Sequence, residues 1–589
     1  MSHVVATAGH VDHGKSALVR ALTGMEPDRL AEERRRGMTL DLGFAWTDVD
    51  GEPVAFVDVP GHERFVTTML AGVGPVPAVL FVVAADEGWM PQSAEHRDAL
   101  AAVGVRHGVL AVTRSDLRDP APAMAAATAE LAASPMGALP AVAVSSVTGA
   151  GLAELRAELA ALVHRLPAPD PAADVRIWVD RAFTVRGAGT VVTGTLPAGT
   201  VRVGDTLVLA GAAGEREVVV RGLQSRGTAV GSATGVERVA LNLRGVPVEG
   251  IARGDVLLTP QVWRPTAELD VRLVRADAVP EQLMLHVGAA AVPVRVRPLG
   301  ADVVRLRLRR PLPLRIGDRA ALRDPGRRQV VAGVVVLDPA PPALRRRGAA
   351  ARRASDLGGA TGVPDAAAEL ARRGLVRGAD LVALGVPAAQ VAAVEALRAG
   401  GWLVDPDRVP ALTAAVRDAV AAHARAAPLE PGMPLDAARR AADLPDAAIV
   451  AALVAGTADL RTADGRVTAG GPALPPALAT ALAALRADLG RDPFAAPDAA
   501  RLAELGLGHR ELAALERVGA VLKVADGVVL LPGADAQALD RLRTLDGAFT
   551  LSAARQALGT TRRVAVPLLE LLARTGRTRR TADGLHEVV

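Results

Sequence analysis

Near the start of the chain, Gly9-His10-Val11-Asp12-His13-Gly14-Lys15-Ser16 places two glycines, a lysine and a hydroxyl at the spacing G-x-x-x-x-G-K-S. That pattern binds phosphate. The glycines let backbone N–H groups approach phosphate oxygens, and the following helix N-terminus adds partial positive charge. Lys15 reaches the terminal phosphates and Ser16 can ligate Mg2+. Composition sharpens the reading. Of 68 basic residues only two are lysines, Lys15 and Lys523. In a chain that writes arginine almost everywhere, a lysine marks a position needing a compact ammonium rather than a guanidinium fork.

Four further motifs follow in order. Gly37-Met38-Thr39 sits in a charged, loop-like segment after Arg29–Arg36, and Thr39 would close on a γ-phosphate and its Mg2+. Asp58-Val59-Pro60-Gly61-His62 ends an apolar run. There Asp58 would hold the metal's water shell, the Gly61 N–H would read the γ-phosphate, and His62 would orient the attacking water. Thr113-Arg114-Ser115-Asp116 ends another run, with Asp116 accepting from guanine N1 and its 2-amino group. Ser145-Ser146 would offer a backbone N–H to guanine O6. The set implies Mg2+-dependent hydrolysis of GTP, with GTP and GDP preferred over ATP. Lys15, Thr39 and His62 are the catalytic candidates, and Ser16, Thr39 and Asp58 the metal-holding ones. The nucleotide contacts are Gly9 to Ser16, Asp58, Gly61, Thr113, Arg114, Asp116, Ser145 and Ser146. Arg114 stands where such a guanine-reading motif carries lysine, and an arginine there could pack over the base.

The elements that must position these residues are a β-α-β series over residues 1–168. Short β-rich runs (Val4–Ala8, Val54–Val59) and near-continuous apolar runs (Val79–Ala84, Gly108–Thr113) alternate with helical stretches such as Ser16–Leu22 and Ser93–Val103. This predicts a doubly wound α/β domain. Pro167–Pro171 reads as a linker. Residues 174–262 and 264–340 carry short alternating strands separated by Gly, Asp and Pro, which predicts two β-barrels. Arg186–Gly194 contains Gly-x-Gly, but β residues flank it, so it reads as a hairpin. Residues 343–589 open with the basic run Arg345–Arg353. Alanine-rich helices follow, interrupted by β pairs at Gly401–Val404, Leu460–Val467, Val518–Leu531 and Arg577–Val589. That rhythm predicts about four tandem winged-helix modules, the last over 538–589.

The 589 residues contain no cysteine, which excludes disulfides, zinc-thiolate sites and thiol catalysis. No charged n-region or cleavage site opens the chain. The apolar window Val76–Ala85 is too short to span a bilayer. A cytoplasmic protein, acting as a monomer and without membrane contact, is expected. The net charge is only +4, but residues 541–589 hold nine arginines against four acids, a net of +5. Arg562 and Arg563 would begin a helix whose apolar face is Val566, Leu569 and Leu572. Arg577, Arg579 and Arg580 would lie on the following wing. A helix N-terminus plus a wing is how such folds meet nucleic acid.

At Gly9–Ser16, Gly37–Thr39 and Asp58–His62 the chain resembles translational GTPases of the elongation factor Tu class. Three segments resemble the selenocysteine-specific elongation factors more closely: Asp28–Gly43 (DRLAEERRRGMTLDLG), Asp180–Gly194 (DRAFTVRGAGTVVTG) and Thr561–Glu570 (TRRVAVPLLE). That resemblance implies delivery of selenocysteinyl-tRNA to a ribosome stalled at a recoded UGA, guided by an mRNA hairpin. It also implies that Asp180, Arg181 and Arg238 line an aminoacyl pocket in the first barrel, and that Arg562, Arg563, Arg577, Arg579 and Arg580 face the hairpin. Asp180 and Arg181 could equally form a structural ion pair. Three other readings stay open on residues alone: a general carrier of another aminoacyl- or initiator tRNA, a GTPase subunit of sulfate activation, and a GTP-switched winged-helix regulator on duplex DNA.

Overall fold

The computed structural model describes residues 2–27, 39–62, 65–74, 76–274, 276, 279–470 and 474–589. The Asp28–Met38 part of the first loop motif lies outside them. The chain forms two compact units, 1–372 with 378–394, and 373–377 with 395–589.

The first unit opens with a six-stranded sheet: β1 (His3–Ala8), β2 (Gly43–Val49), β3 (Glu52–Asp58), β4 (Ala78–Ala84), β5 (His107–Thr113) and β6 (Ala141–Ala143). The strand order is β2-β3-β1-β4-β5-β6, and only β2 is antiparallel. Alternate residues of each central strand face opposite layers, which is why those runs read as continuously apolar. Val5, Leu80, Val109 and Ala111 pack with Leu18, Leu22, Leu155 and Leu159 of helices Lys15–Thr23 and Leu152–Arg165. Val4, Val79, Phe81 and Leu110 pack with Met69, Leu100 and Leu131 of helices Val66–Val73, Pro91–Val103 and Ala121–Ala132. Asp50 and Gly51 both have positive φ (54° and 80°), making a two-residue turn between β2 and β3.

Residues 176–258 form an eight-stranded antiparallel sheet around a Val- and Leu-rich core. The sheet opens with two strands, Arg176–Trp178 and Arg181–Val185. At the break, Val179 N–H donates to Asp255 O (2.8 Å) and Asp180 N–H to Thr193 O (3.0 Å). Arg181–Val185 and Gly189–Leu196 pair antiparallel, so the Gly-x-Gly stretch is a hairpin. Residues 265–338 close into a six-stranded barrel.

The basic run after this barrel is not a uniform linker. Arg353 is buried, its Nε donating to Asp270 Oδ2 at 2.7 Å and its Nη2 to Asp338 Oδ2. Arg305 meets the other Asp270 oxygen at 2.7 Å. Arg353 thus anchors helix Ala349–Asp356 on the barrel. Residues 343–372 and 378–394 belong with the first unit, which takes in the first helices after the barrel.

The second unit holds three helix-and-wing groups and the sheet of a fourth. That sheet, Leu375–Arg377, Leu397–Ala399 and Trp402–Val404, comes first. The next group has helices Val409–Ala426, Leu435–Ala441 and Ala447–Ala455 with a wing at 460–469. The third has helices Pro476–Arg491, Ala499–Glu504 and His509–Arg517 with a wing at 522–530. The last has helices Ala534–Leu542, Leu551–Leu558 and Arg562–Arg574 with a wing at 578–588.

Arg353→Leu leaves Asp270 and Asp338 short of a partner in a dry interior. It should lower the stability of the first unit by roughly 3–5 kcal/mol, seen in urea unfolding as an earlier transition of that unit.

Candidate functional site

Gly9 leaves β1 with φ 129°, and a Cβ there would lie 2.1 Å from Val82 O. Only glycine fits. Gly14 (φ 79°) turns the chain into helix Lys15–Thr23, so the loop's N–H groups gather at a helix N-terminus. Lys15 Nζ is buried and donates to Gly9 O (3.1 Å) and His10 O (2.7 Å). Gly61 rests on this loop. A Cβ at Gly61 would come within 2.4 Å of Lys15 Nζ and 2.5 Å of Val11 N. Gly61, the glycine of the Asp58–His62 motif, is therefore required by close approach and not by its φ.

The three metal-holding candidates meet. Ser16 Oγ donates to Asp58 Oδ2 at 2.6 Å and lies 2.9 Å from Thr39 Oγ1. Thr7 Oγ1 donates to Asp58 Oδ1 (2.7 Å) and accepts from Val59 N–H (3.0 Å). Two hydroxyls and a fully buried carboxylate are hard oxygen donors, and this set fits Mg2+ rather than a softer metal. His62 is half-buried on the turn after Gly61, its ring edge-on to Phe65 at 6.2 Å.

Sequence reasoning missed the residues that brace the loop from behind. His96 Nδ1 accepts from Gly9 N–H (3.1 Å) and Gln92 Oε1 from Val11 N–H (3.2 Å). Both lie on helix Pro91–Val103, one turn apart, and that i, i+4 spacing was the available signal. Burial, with Lys15 nearby, pushes His96 down to about 3. Burial, with His10, Lys15 and Arg114 adding to it, pushes His13 down to about 4. Both rings are neutral at pH 7, as a hydrogen-bond-accepting Nδ1 on His96 requires.

At the guanine end, Thr113 Oγ1 donates to His13 O (2.7 Å), tying the base motif to the phosphate loop. Arg114, at φ 56°, does not lie free to pack over a base. Its guanidinium is engaged by Asp86 (2.9 Å), Glu87 (2.8 Å) and Asp12 O. Asp116 is exposed. Ser145 is buried, and its Oγ accepts from Val147 N–H (3.3 Å) and Thr148 N–H (3.1 Å), shaping the loop that carries Ser146.

Asp180 does not pair with Arg181. Its buried carboxylate takes both Arg238 nitrogens (Nη2 at 2.8 Å) and the Thr193 hydroxyl (2.7 Å). Arg238 lies over the Phe44 ring at 3.9 Å. Arg181 turns instead to Asp41 (2.9 Å) and lies 5.7 Å from the same ring.

In the last module the helix Arg562–Arg574 buries Val564, Ala565, Leu568, Leu569 and Leu572, while Val566 is half-exposed. Of the expected apolar face, Leu569 and Leu572 are buried and Val566 is not. Arg563 is spent on structure: it donates to Ala496 O (2.6 Å), Pro497 O (2.7 Å) and Gly527 O (3.2 Å) of the preceding module. Arg577 pairs with Asp535 (2.7 Å) and Arg579 with Glu587 (2.7 Å). Arg562 and Arg580 are exposed, and their side chains bond no protein group among the described residues.

Comparison with known proteins agrees with this geometry. The family model of the elongation factor Tu GTP binding domain matches residues 2–167. Elongation factor Tu 2 of Streptomyces avermitilis is 33% identical over 294 residues, 46% of this chain and 75% of that protein. The chain belongs to the elongation factor Tu class of translational GTPases. Two further models match: the selenocysteine-specific elongation factor beta-barrel domain at 271–343 and the elongation factor SelB winged helix at 540–584. The selenocysteine-specific elongation factor of Desulfomicrobium baculatum is 40% identical over 381 residues, 62% of this chain. That match spans only 60% of the relative's length. A crystal structure of a bacterial selenocysteine-specific elongation factor, EF-Sec, superposes with TM-score 0.77 at 25% identity, covering all of both chains. Among the described residues no helix of this translational GTPase is long and apolar enough to cross a membrane.

The depressed histidines give a pH signature. The unfolded chain binds a proton on each near pH 6.5, while folded His96 does so only near 3. The unfolded state therefore binds more protons below pH 6.5, and stability is lost as pH falls from there. His96 alone should cost about 2 kcal/mol at pH 5. Thermal melts at pH 5, 6 and 7 should show this slope, reduced in His96→Asn, whose amide oxygen can still accept from Gly9.

Proposed function

We propose that this chain is a GTP-hydrolysing elongation factor that delivers selenocysteinyl-tRNA to the ribosome at recoded UGA codons. Its last winged helix would bind the guiding mRNA hairpin. One observation carries the reading: an elongation factor Tu GTP-binding domain and an elongation factor SelB winged helix stand at the two ends of one chain. A carrier of ordinary aminoacyl-tRNA has no use for the second. The factor would act in the cytoplasm as a monomer.

The nucleotide chemistry follows from the site. Lys15 and the loop N–H groups would hold the β- and γ-phosphates, with Gly61 N–H against the γ-phosphate. Asp116 and the Ser145-Ser146 loop would read the guanine. Ser16, Thr39 and Asp58 would hold Mg2+, which neutralises phosphate charge when bound. His62 would orient the attacking water from its turn.

Cargo selection rests on charge. The connected cluster of three arginines (Arg181, Arg238, Arg253) and two aspartates (Asp41, Asp180) has an excess of one positive charge. A selenol ionises near neutral pH and a serine hydroxyl does not, so this excess favours selenocysteine. With a GTP analogue bound, selenocysteinyl-tRNA should bind at least tenfold tighter than seryl-tRNA, and Arg238→Ala should narrow the gap. Equal affinities in the unaltered protein would return it to the general carriers.

For the hairpin, Arg562 and Arg580 are the two of the five candidate arginines whose side chains bond no protein group among the described residues. Arg562→Ala and Arg580→Ala should each weaken hairpin binding and reduce the salt slope by about one. Arg563→Ala should instead lower the melting temperature, since that side chain joins two modules. Gel shifts on a salt series with hairpin RNA and duplex DNA would separate this reading from a DNA regulator.

A further inference from the structure

One short stretch of the GTPase domain reaches three places. Thr39 lies beside Ser16 and Asp58 at the metal-holding cluster. Two residues on, Asp41 accepts from Arg181 Nη2 through Oδ2 (2.9 Å) and from Arg253 Nη2 through Oδ1. Three residues further, the Phe44 ring lies beneath Arg238 and beside Arg181. Arg253 is the junction on the barrel side. Its Nε donates to Asp180 O (2.9 Å), and its Nη1 to Thr68 Oγ1 (3.3 Å) on helix Val66–Val73, which follows Gly61 and His62. A single guanidinium therefore touches both nucleotide-facing segments and the main chain of the residue that holds Arg238.

This arrangement has two distinguishable states. With Thr39 seated, Asp41 supplies the anion that fixes Arg181 and Arg253. When Thr39 is withdrawn, as happens to such segments when the γ-phosphate is lost, the half-buried Arg181 and the exposed Arg253 lose that anion and must find other partners. Arg181 adjoins Asp180 in sequence and Arg253 bonds its carbonyl, so the charges around Asp180 and Arg238 rearrange.

We infer that Asp41 and Arg253 are the positioning residues through which the nucleotide state sets the aminoacyl pocket. Asp41 carries the signal and Arg253 distributes it. Neither belongs to the phosphate-loop or guanine motifs, and the inference rests on the cargo pocket proposed above. Because coupling between two ligands is reciprocal, the factor by which a GTP analogue improves cargo binding over GDP equals the factor by which cargo improves binding of the analogue over GDP. Asp41→Asn, which keeps the size and removes the charge, should reduce both factors equally, by tenfold or more. The loss should fall mainly on the GTP form. Arg253→Gln should do the same. The two changes together should be no worse than either alone, since they break one connection.

Two experiments test this on the full chain. The first needs no cargo: hydrogen exchange of the 176–196 peptides with a non-hydrolysable GTP analogue against GDP. The unaltered protein should protect these amides more with the analogue, and Asp41→Asn should erase the difference. Persistence of the difference in Asp41→Asn overturns the inference. The second measures binding of selenocysteinyl-tRNA in both nucleotide states. An equal loss of cargo affinity in both states, or no loss in either, also overturns it, because a merely structural ion pair acts alike in both. If the unaltered protein does not distinguish selenocysteinyl- from seryl-tRNA, the cargo reading fails, and the exchange experiment still decides the role of Asp41.

Discussion

Asp58 is a carboxylate with no exposure to water, and its satisfaction organises the phosphate end of the molecule. Thr7 and Ser16 bond its two oxygens, and Thr39 lies against Ser16. A buried anion of this kind must be hydrogen-bonded or paired with a cation. Three elements are fixed by that demand: β1 through Thr7, the phosphate-loop helix through Ser16, and the segment entering β2 through Thr39. The same demand makes the cluster receptive to a divalent cation.

Around this centre the loop is held by backbone chemistry rather than by large side chains. Gly9 lies against Val82 O and Gly61 against Val11 N, so neither position tolerates a Cβ. His96 and Gln92 then cap two of the loop's N–H groups. The result is a rigid loop whose bracing groups come from a helix about eighty residues away.

Much of this was legible in the sequence. The phosphate loop, Asp58–Gly61 and the guanine motif are contiguous, and each residue type has a local reason to stand where it does. The apolar runs of β1, β4 and β5 and the alternating strands of the barrels are likewise local patterns. What escaped depends on partners distant in sequence. Arg253 is one arginine among dozens until the fold sets it between Asp41, Thr68 and Asp180. Arg353 reads as part of a basic run until Asp270 and Asp338 enclose it. Arg563 reads as an RNA contact until the preceding module's carbonyls take it up. Strand β2 could have been found from its Asp50-Gly51 turn. On helix Arg562–Arg574 the i, i+3 series Val566, Leu569, Leu572 names two residues of the buried face, which continues through Val564, Ala565 and Leu568 instead of Val566.

The arginine-rich composition has one more effect. Burial works against the charge of Arg353, but its bonds to Asp270 and Asp338 hold its proton more tightly than usual. The same residue type closes Arg305–Asp270, Arg238–Asp180 and Arg176–Asp318. A guanidinium keeps its proton beyond about pH 12, where a lysine has long since released one. The Arg353 clamp is therefore indifferent to alkali. The protein's acid–base sensitivity leans to the acid side: folding keeps His13 and His96 neutral, so falling pH charges them only at the expense of the fold, while Arg353 holds its proton more firmly than a free guanidinium.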